Sequence, residues 1–224
     1  PKALLLDLDG TLVVTDELHL RATMDVLLEF DISMDVAAYM ANIHGGANDD
    51  IKRFLFGDRA ETLGTEYVSR KETCFRALLD DVPTVPGTLD LLKRAREVGV
   101  GLAVVTNAPR KNVELLLAPL GGAGAFDALV LGDELAHGKP HPLPYLTALT
   151  LLGVKAENAC GFEDSTHGVQ ALVDAGVFAV GVGSGNYTND LKHAGADWVV
   201  PDLRWAGLRK IDRLTAILEG VDQS

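Results

Sequence analysis

The residues of this chain best suited to chemistry begin with Asp7 and Asp9, two carboxylates separated by Leu8 and followed at once by Gly10. They close an apolar run, Ala3-Leu4-Leu5-Leu6, of the kind that makes a strand buried on both faces of a parallel sheet. Alternate residues of a strand point to one side, so the spacing predicts both acids emerging together at the strand's C-terminal end. Open α/β sheets bind ligands at that end. Two like charges there repel and are costly to desolvate unless something positive sits between them. A divalent cation that prefers oxygen answers that need. Taken alone, D-L-D is equally a helix cap beside a solvated acid.

Positioning such residues requires strands and helices in alternation. At 224 residues there is room for one α/β domain with an insertion, or for two small domains. The 47% apolar and 23% charged fractions are those of an ordinary soluble globular protein. A formal charge of −12 argues against nucleic acid or an anionic membrane surface as partner. Cys74 and Cys160 form no disulfide framework and no zinc knuckle, and read as reduced, buried thiols. No signal peptide is visible and no apolar stretch approaches the roughly 20 residues of a membrane span, so the expected location is cytoplasmic.

After the first strand, acidic Asp16 and Glu17 open a helix that carries Ala22, Val26, Leu27 and Phe30 at helical spacing. Met34 to Ile43 reads as a second helix ending at His44-Gly45-Gly46. Asn48 and Asp49 are expected to cap a short helix through Phe56, and a longer one runs from about Glu61 to Leu79. Residues 16–82 therefore read as an all-helical insert, with hinges near Val13–Glu17 and Asp80–Thr84. Beyond Pro83, strands at Val100 to Val105, Phe126 to Leu131, Ala159 to Phe162, Phe178 to Val182 and Trp198 to Val200 alternate with helices. One C-terminal helix is expected from about Trp205. The fold class is α/β: a doubly wound, Rossmann-like parallel sheet, residues 1–15 and 83–224, with an inserted all-helical cap domain.

Other polar residues fall at the strand ends: Thr106 and Asn107, then Lys139, then Glu163, Asp164 and Ser165. In a doubly wound sheet these converge on one crevice. The set offers carboxylates for a metal, hydroxyl and amide donors, and one compact cation, which suits binding and transfer of a phosphoryl group. Seen singly, Thr106-Asn107 is also a turn before Pro109, Lys139 a loop lysine and Asp164-Ser165 a helix N-cap.

Together, D-L-D-G-T-L, strand–Thr106-Asn107, Lys139-Pro140 and G-F-E-D-S resemble the four ordered motifs of the haloacid dehalogenase superfamily. The insert is similar to the helical cap of the branch containing sugar phosphatases, phosphoglycolate phosphatase and β-phosphoglucomutase. The resemblance implies Asp7 as nucleophile, Asp9 as general acid and base, and Mg²⁺ held by Asp7, Asp9 through its backbone carbonyl and Asp164, with Glu163 assisting. It implies Thr106 and the Asn107 backbone as donors to the phosphoryl oxygens and Lys139 as the neutralising cation. By the same resemblance His19, His44, Gly45, Gly46 and Asn48 belong to the cap's side of the substrate site. His137, His141, His167 and His193 read as loop or surface residues.

Asp9 and the Glu163-Asp164 pair favour phosphoryl transfer over dehalogenation. The loop after His44 has two acids and none of the arginines with which mutases of this branch hold a second phosphate, although Lys52 and Arg53 one turn on are candidates to replace it. The expectation is a Mg²⁺-dependent phosphatase for a small phosphorylated metabolite such as a sugar or polyol phosphate, a monomer or weak dimer without nucleic-acid or membrane partners. A β-phosphoglucomutase-like mutase is the alternative, followed by a phosphoglycolate phosphatase or a non-catalytic binding module.

Overall fold

The computed structural model describes residues 1–183, 185 and 187–219. All four residues of β1 (Ala3–Leu6) are wholly buried. Their alternation explains why: Leu4 and Leu6 enter the apolar cluster on one face of the sheet, Ala3 and Leu5 the cluster on the other. The helical insert follows as α1 (Asp16–Leu28), α2 (Val36–Asn42), α3 (Asn48–Phe56) and α4 (Thr65–Ala77). The chain then continues through α5 (Thr88–Glu97), β2 (Gly101–Thr106), α6 (Arg110–Leu116), β3 (Ala128–Leu131), α7 (Leu143–Leu152) and β4 (Ala159–Glu163). It finishes with α8 (Thr166–Asp174), β5 (Phe178–Val182), α9 (Tyr187–His193), β6 (Trp198–Val200), α10 (Trp205–Leu208) and α11 (Asp212–Leu218).

The strands form one parallel sheet in the order β3-β2-β1-β4-β5-β6. The chain moves outward from β1 to β3, then crosses back to place β4 on the other side of β1. Strand order therefore reverses beside β1, which is where such sheets open a crevice. Leu6 is level with Val104 and Phe162, so the residues just beyond the ends of β2, β1 and β4 stand side by side.

The insert has its own apolar cluster, in which Val26, Leu27, Tyr39, Ile43, Ile51, Phe56 and Tyr67 are buried. Its two connections to the sheet run together. Val14 N–H donates to Pro83 O at 2.8 Å, and Val13 bridges antiparallel to Thr84.

Three local expectations change. α4 begins at Thr65 because irregular helical turns occupy 57–64 after Gly57, whose φ is +52°. α3 is capped by Ala47 without a side-chain bond, since the Asn48 amide turns toward Glu72. The C-terminal helix divides in two because buried Ile211 takes extended backbone between α10 and α11. Cys160 is buried as expected, whereas Cys74 is half-buried. Among the described residues, no helix is long and apolar enough to cross a membrane.

Candidate active site

Asp7 follows β1 directly, its N–H donating to Phe162 O at 3.1 Å. Lys139, on the loop between β3 and α7, reaches under it and is only 2% exposed. Its ammonium donates to Asp7 Oδ1 at 2.6 Å, to Val105 O at 2.7 Å and to Glu163 Oε1, so all three donors are used. Glu163 Oε1 also accepts from the Tyr145 hydroxyl, and Oε2 accepts from Ser165 Oγ at 3.3 Å. Gly168, in the first turn of α8, leaves the space this carboxylate fills; a Cβ there would run into it. Ser165 does cap α8, accepting from Gly168 N–H at 3.0 Å, so the local cap and the site share one residue.

Burial lifts the Asp7 carboxyl well above the usual range, and the charges of Glu163 and Asp164 add to this against the opposing lysine. Asp164 rises to about 6, through burial and the neighbouring charges of Asp16 and Glu163, with His44 opposing. Lys139 is held protonated: burial works against its charge, but Asp7 and Glu163 outweigh it. One carboxylate oxygen from each of Asp7, Glu163 and Asp164 lies within 4.8 Å of the others. Acids gathered this closely against one lysine leave negative charge uncompensated, and an all-oxygen donor set fits a hard divalent cation. Glu163 Oε1 is already shared by Lys139 and Tyr145, so Asp7 and Asp164 have the freer oxygens. A second grouping, Asp16, His44 and Asp164, fits less well. Burial opposes the charge on His44, but hydrogen bonds to Asp16 and Asp164 outweigh it and raise its pKa to about 10. A protonated ring has no lone pair to offer a metal.

Asp9 is in a different state from Asp7. Its Oδ1 accepts from Thr15 Oγ1 at 2.9 Å and meets His19 Nε2 at 2.9 Å. Burial alone would raise its pKa, but His19, Thr15 and the charge of Lys71 bring it below the ordinary value. His19 stacks on Phe75 with ring centroids 3.7 Å apart, and its Nδ1 lies 3.2 Å from Lys71 Nζ. An ammonium only donates, so Nδ1 accepts and the Nε2 hydrogen points at Asp9. Lys71 also meets Glu72 Oε1 at 3.0 Å, and Glu72 Oε2 accepts from Asn112 Nδ2 on α6 at 2.5 Å.

The loop after α2 closes the crevice from above. His44 is buried, with Nε2 3.3 Å from Asp164 Oδ2 and Nδ1 3.2 Å from the Tyr187 hydroxyl. Its carbonyl meets His167 Nδ1 at 3.0 Å, so His167, expected at the surface, touches this loop. Gly45 adopts φ +71°, and a Cβ on it would overlap Ser165. Asn107 donates to Gly45 O at 3.1 Å and to Lys139 O at 3.0 Å, and accepts from Lys139 N–H at 2.9 Å. Its side chain thus braces the lysine loop and the insert together. Thr106 Oγ1 accepts from Ala108 N–H at 3.0 Å, which leaves its hydroxyl proton for the crevice.

Asp7, Asp9, His19, His44, Gly45, Gly46, Asn48, Thr106, Asn107, Lys139 and Asp164 all line one crevice of about 90 Å³, with Glu163 behind it. Lys71, Glu72, Asp16 and Tyr39 join them, unforeseen from sequence. The available signal was faint: Lys71 and Glu72 lie four and three residues before Phe75, on the helix face that carries this core residue. Lys52 and Arg53 do not serve the crevice. They pair with Asp49 and Asp50 beside a second groove, because α3 turns that face outward. His137 and His141 stack on each other, exposed, and His193 is exposed.

Residues 1–176 match the family model described as haloacid dehalogenase-like hydrolase. The chain is 36% identical over 207 residues to Protein CbbY of Cereibacter sphaeroides, covering 88% of this chain and 90% of that protein. It is 32% identical over 184 residues to the fructose-1-phosphate phosphatase YqaB of Escherichia coli, covering 80% and 95%. Among solved structures, a mutant of CbbY from Rhodobacter sphaeroides in complex with xylulose-(1,5)bisphosphate superposes with a TM-score of 0.77 at 33% identity, covering 91% of this chain and 95% of that one.

Proposed function

The chain belongs to the haloacid dehalogenase-like hydrolases, and from that premise we propose that it is a Mg²⁺-dependent phosphatase of a small sugar or polyol phosphate, working through an aspartyl-phosphate. The observation that carries this reading is the contrast between its paired acids. Asp7 is pinned to Lys139, whereas Asp9, in the same crevice, is held by His19 and Thr15.

In the proposed reaction an Asp7 oxygen attacks phosphorus in line, forming an Asp7–phosphorus bond as the bond to the leaving alkoxide breaks. Asp9 gives its proton to that leaving oxygen. Asp9 then takes a proton from a water molecule, whose oxygen attacks phosphorus and releases inorganic phosphate and free Asp7. Its low pKa in the closed crevice suits the second half; a phosphoryl dianion arriving beside it pushes the pKa upward and suits the first. Lys139 neutralises charge between Asp7 and the phosphoryl oxygens, while the Thr106 hydroxyl and Asn107 N–H donate to them. When bound, Mg²⁺ supplies positive charge against those oxygens; Asp7, Asp164 and the Asp9 carbonyl would hold it, with Glu163 supporting.

The crevice of about 90 Å³ lies between the insert and the sheet domain and is lined by residues of both. We therefore assign residues 16–82 the role of a cap that opens on the paired hinges at 13–17 and 80–84 and closes through Asn107 and His167. The relatives that act on phosphorylated sugars support the substrate class. The charge of −12 fits a small-metabolite enzyme rather than a nucleic-acid partner.

The test compares wild type with Asp7→Asn on p-nitrophenyl phosphate, with and without Mg²⁺. Hydrolysis by wild type alone and only with the metal is expected. Metal-independent turnover, or equal rates for the two proteins, would refute the mechanism.

A further inference from the structure

The phosphatase reading leaves open what the cap does with the part of the substrate that is not phosphoryl. Five acids line the crevice (Asp7, Asp9, Asp16, Glu72 and Asp164) against two lysines, and no arginine is among the described residues there. Every one of its cations is already engaged. Lys139 holds Asp7 and Glu163, Lys71 holds Glu72 and His19, and His44 faces Asp164 and Asp16.

Glu72 stands at the edge where this small crevice meets a larger space. It is 5% exposed, and Asn48, whose amide is 3.5 Å from Glu72 Oε1, lines both the crevice and a groove of about 770 Å³ between the insert and the sheet domain. The groove continues the same charge pattern. Asp49, Asp50, Asp133 and Asp174 line it, and its Lys52 and Arg53 are paired with Asp49 and Asp50. Glu72 is kept ionised: burial opposes its charge, but Lys71 and the Asn112 amide outweigh it. A carboxylate offers about four acceptor positions, and Lys71, Asn112 and the long Asn48 contact fill three. That leaves one acceptor position for a hydroxyl, beside a charge that would repel a phosphate.

We propose that Glu72 is the specificity-determining residue of the cap, selecting a leaving group that is a neutral polyol and rejecting substrates that carry a second phosphate. The proposal rests on the phosphatase reading and narrows it. It also separates this chain from the CbbY relative whose crystals hold a bisphosphate. The leaving group's hydroxyls bond to Glu72 and Asn48 and run outward into the wider groove.

The experiment measures kcat/KM for fructose 1-phosphate against fructose 1,6-bisphosphate, and for glucose 1-phosphate against glucose 1,6-bisphosphate. Inhibition of p-nitrophenyl phosphate turnover by all four is read alongside. In wild type each monophosphate is expected to lead its bisphosphate by about tenfold or more, in turnover or inhibition, the scale of one uncompensated like charge nearby. Glu72→Gln, which removes the charge and keeps the shape, is expected to shrink that ratio about tenfold. The ratio is taken within one protein preparation, so a smaller folded fraction leaves it unchanged. Equal handling of each pair by wild type, at any level, overturns the proposal, as does a ratio that Glu72→Gln and Glu72→Ala both leave intact. Loss of p-nitrophenyl phosphate turnover in wild type would instead refute the phosphatase reading itself.

Discussion

On one wall of the crevice, Asp7, Thr106 and Glu163 leave three adjacent strands whose register the sheet fixes. On the other, His19, Lys71 and Glu72 are helix side chains linked in series from Asp9 to Asn112. The strand wall is held by backbone ladders and burial, and in the proposed reaction it carries bond making. The helix wall is held by side-chain hydrogen bonds, and in the same proposal it carries orientation and selection. Changes to the first should act nearly all-or-none, and changes to the second by degrees.

The sharpest break in this contrast is Asp7→Asn, expected to cut kcat on an aryl phosphate by about 10⁴-fold or more, with far-UV circular dichroism unchanged. Next in size is metal binding to the same wall. Burial and neighbouring acids raise the Asp7 and Asp164 carboxyls despite Lys139 and His44, so Mg²⁺ at about 100 times its Kd should stabilise the fold by about 2.7 kcal/mol, or roughly 5–10 °C in Tm. A melting temperature indifferent to Mg²⁺ would contradict the assignment of these oxygens to an ion.

The helix wall should yield smaller and more graded effects. His19→Ala is expected to lower kcat roughly 10- to 100-fold. Because His19 holds the Asp9 pKa down, its removal should also move the limb of the pH–rate profile that reports Asp9 to higher pH, a shift that misfolding would not produce. Gly45→Ala forces an L residue into φ +71° against Ser165, a strain of about 1–2 kcal/mol that should raise KM around tenfold by hindering closure.

The smallest effect concerns Asp133, exposed at the rim of the outer groove, which partial desolvation and the charges of Glu72 and Asp49 raise from 3.8 to about 6. A carboxyl whose folded-state pKa is raised binds its proton more tightly when native, so stability falls as pH rises from about 4 through 6. Asp133→Asn lacks that loss. Relative to wild type it should be about 1 kcal/mol more stable at pH 8 than at pH 4, after allowance for solvent screening, as read from urea midpoints.

The two walls also differ in how far they could be read from sequence. Asp7, Asp9 and Glu163-Asp164 were legible because strand ends follow apolar runs, and a doubly wound order brings those ends together; Lys139, on a loop beyond β3, was legible only through the family resemblance. The same logic located the sheet and most helices. Lys71 and Glu72 were not legible, since on a helix rich in charge they look like any solvated pair until α1 packs His19 against Phe75. Lys52 and Arg53 misled for the converse reason. They stand near the closing loop in sequence, but the rotation of α3 turns them to the outer groove. Side-chain direction on a short helix depends on tertiary packing, which spacing does not encode.

The paired connections, with Val14 bonded to Pro83 and Val13 bridged to Thr84, carry one more consequence. Because the chain leaves and rejoins the sheet domain at neighbouring points, the intervening helices amount to a cassette plugged into a single socket. The sheet needs no rearrangement to accept a different cassette, or a short turn in its place. That socket opens a few residues after Asp7, so whatever is plugged in lands directly above the proposed nucleophile. On the proposed mechanism, a new preference for substrate would then come from exchange of one contiguous segment, with the bond-making residues left untouched.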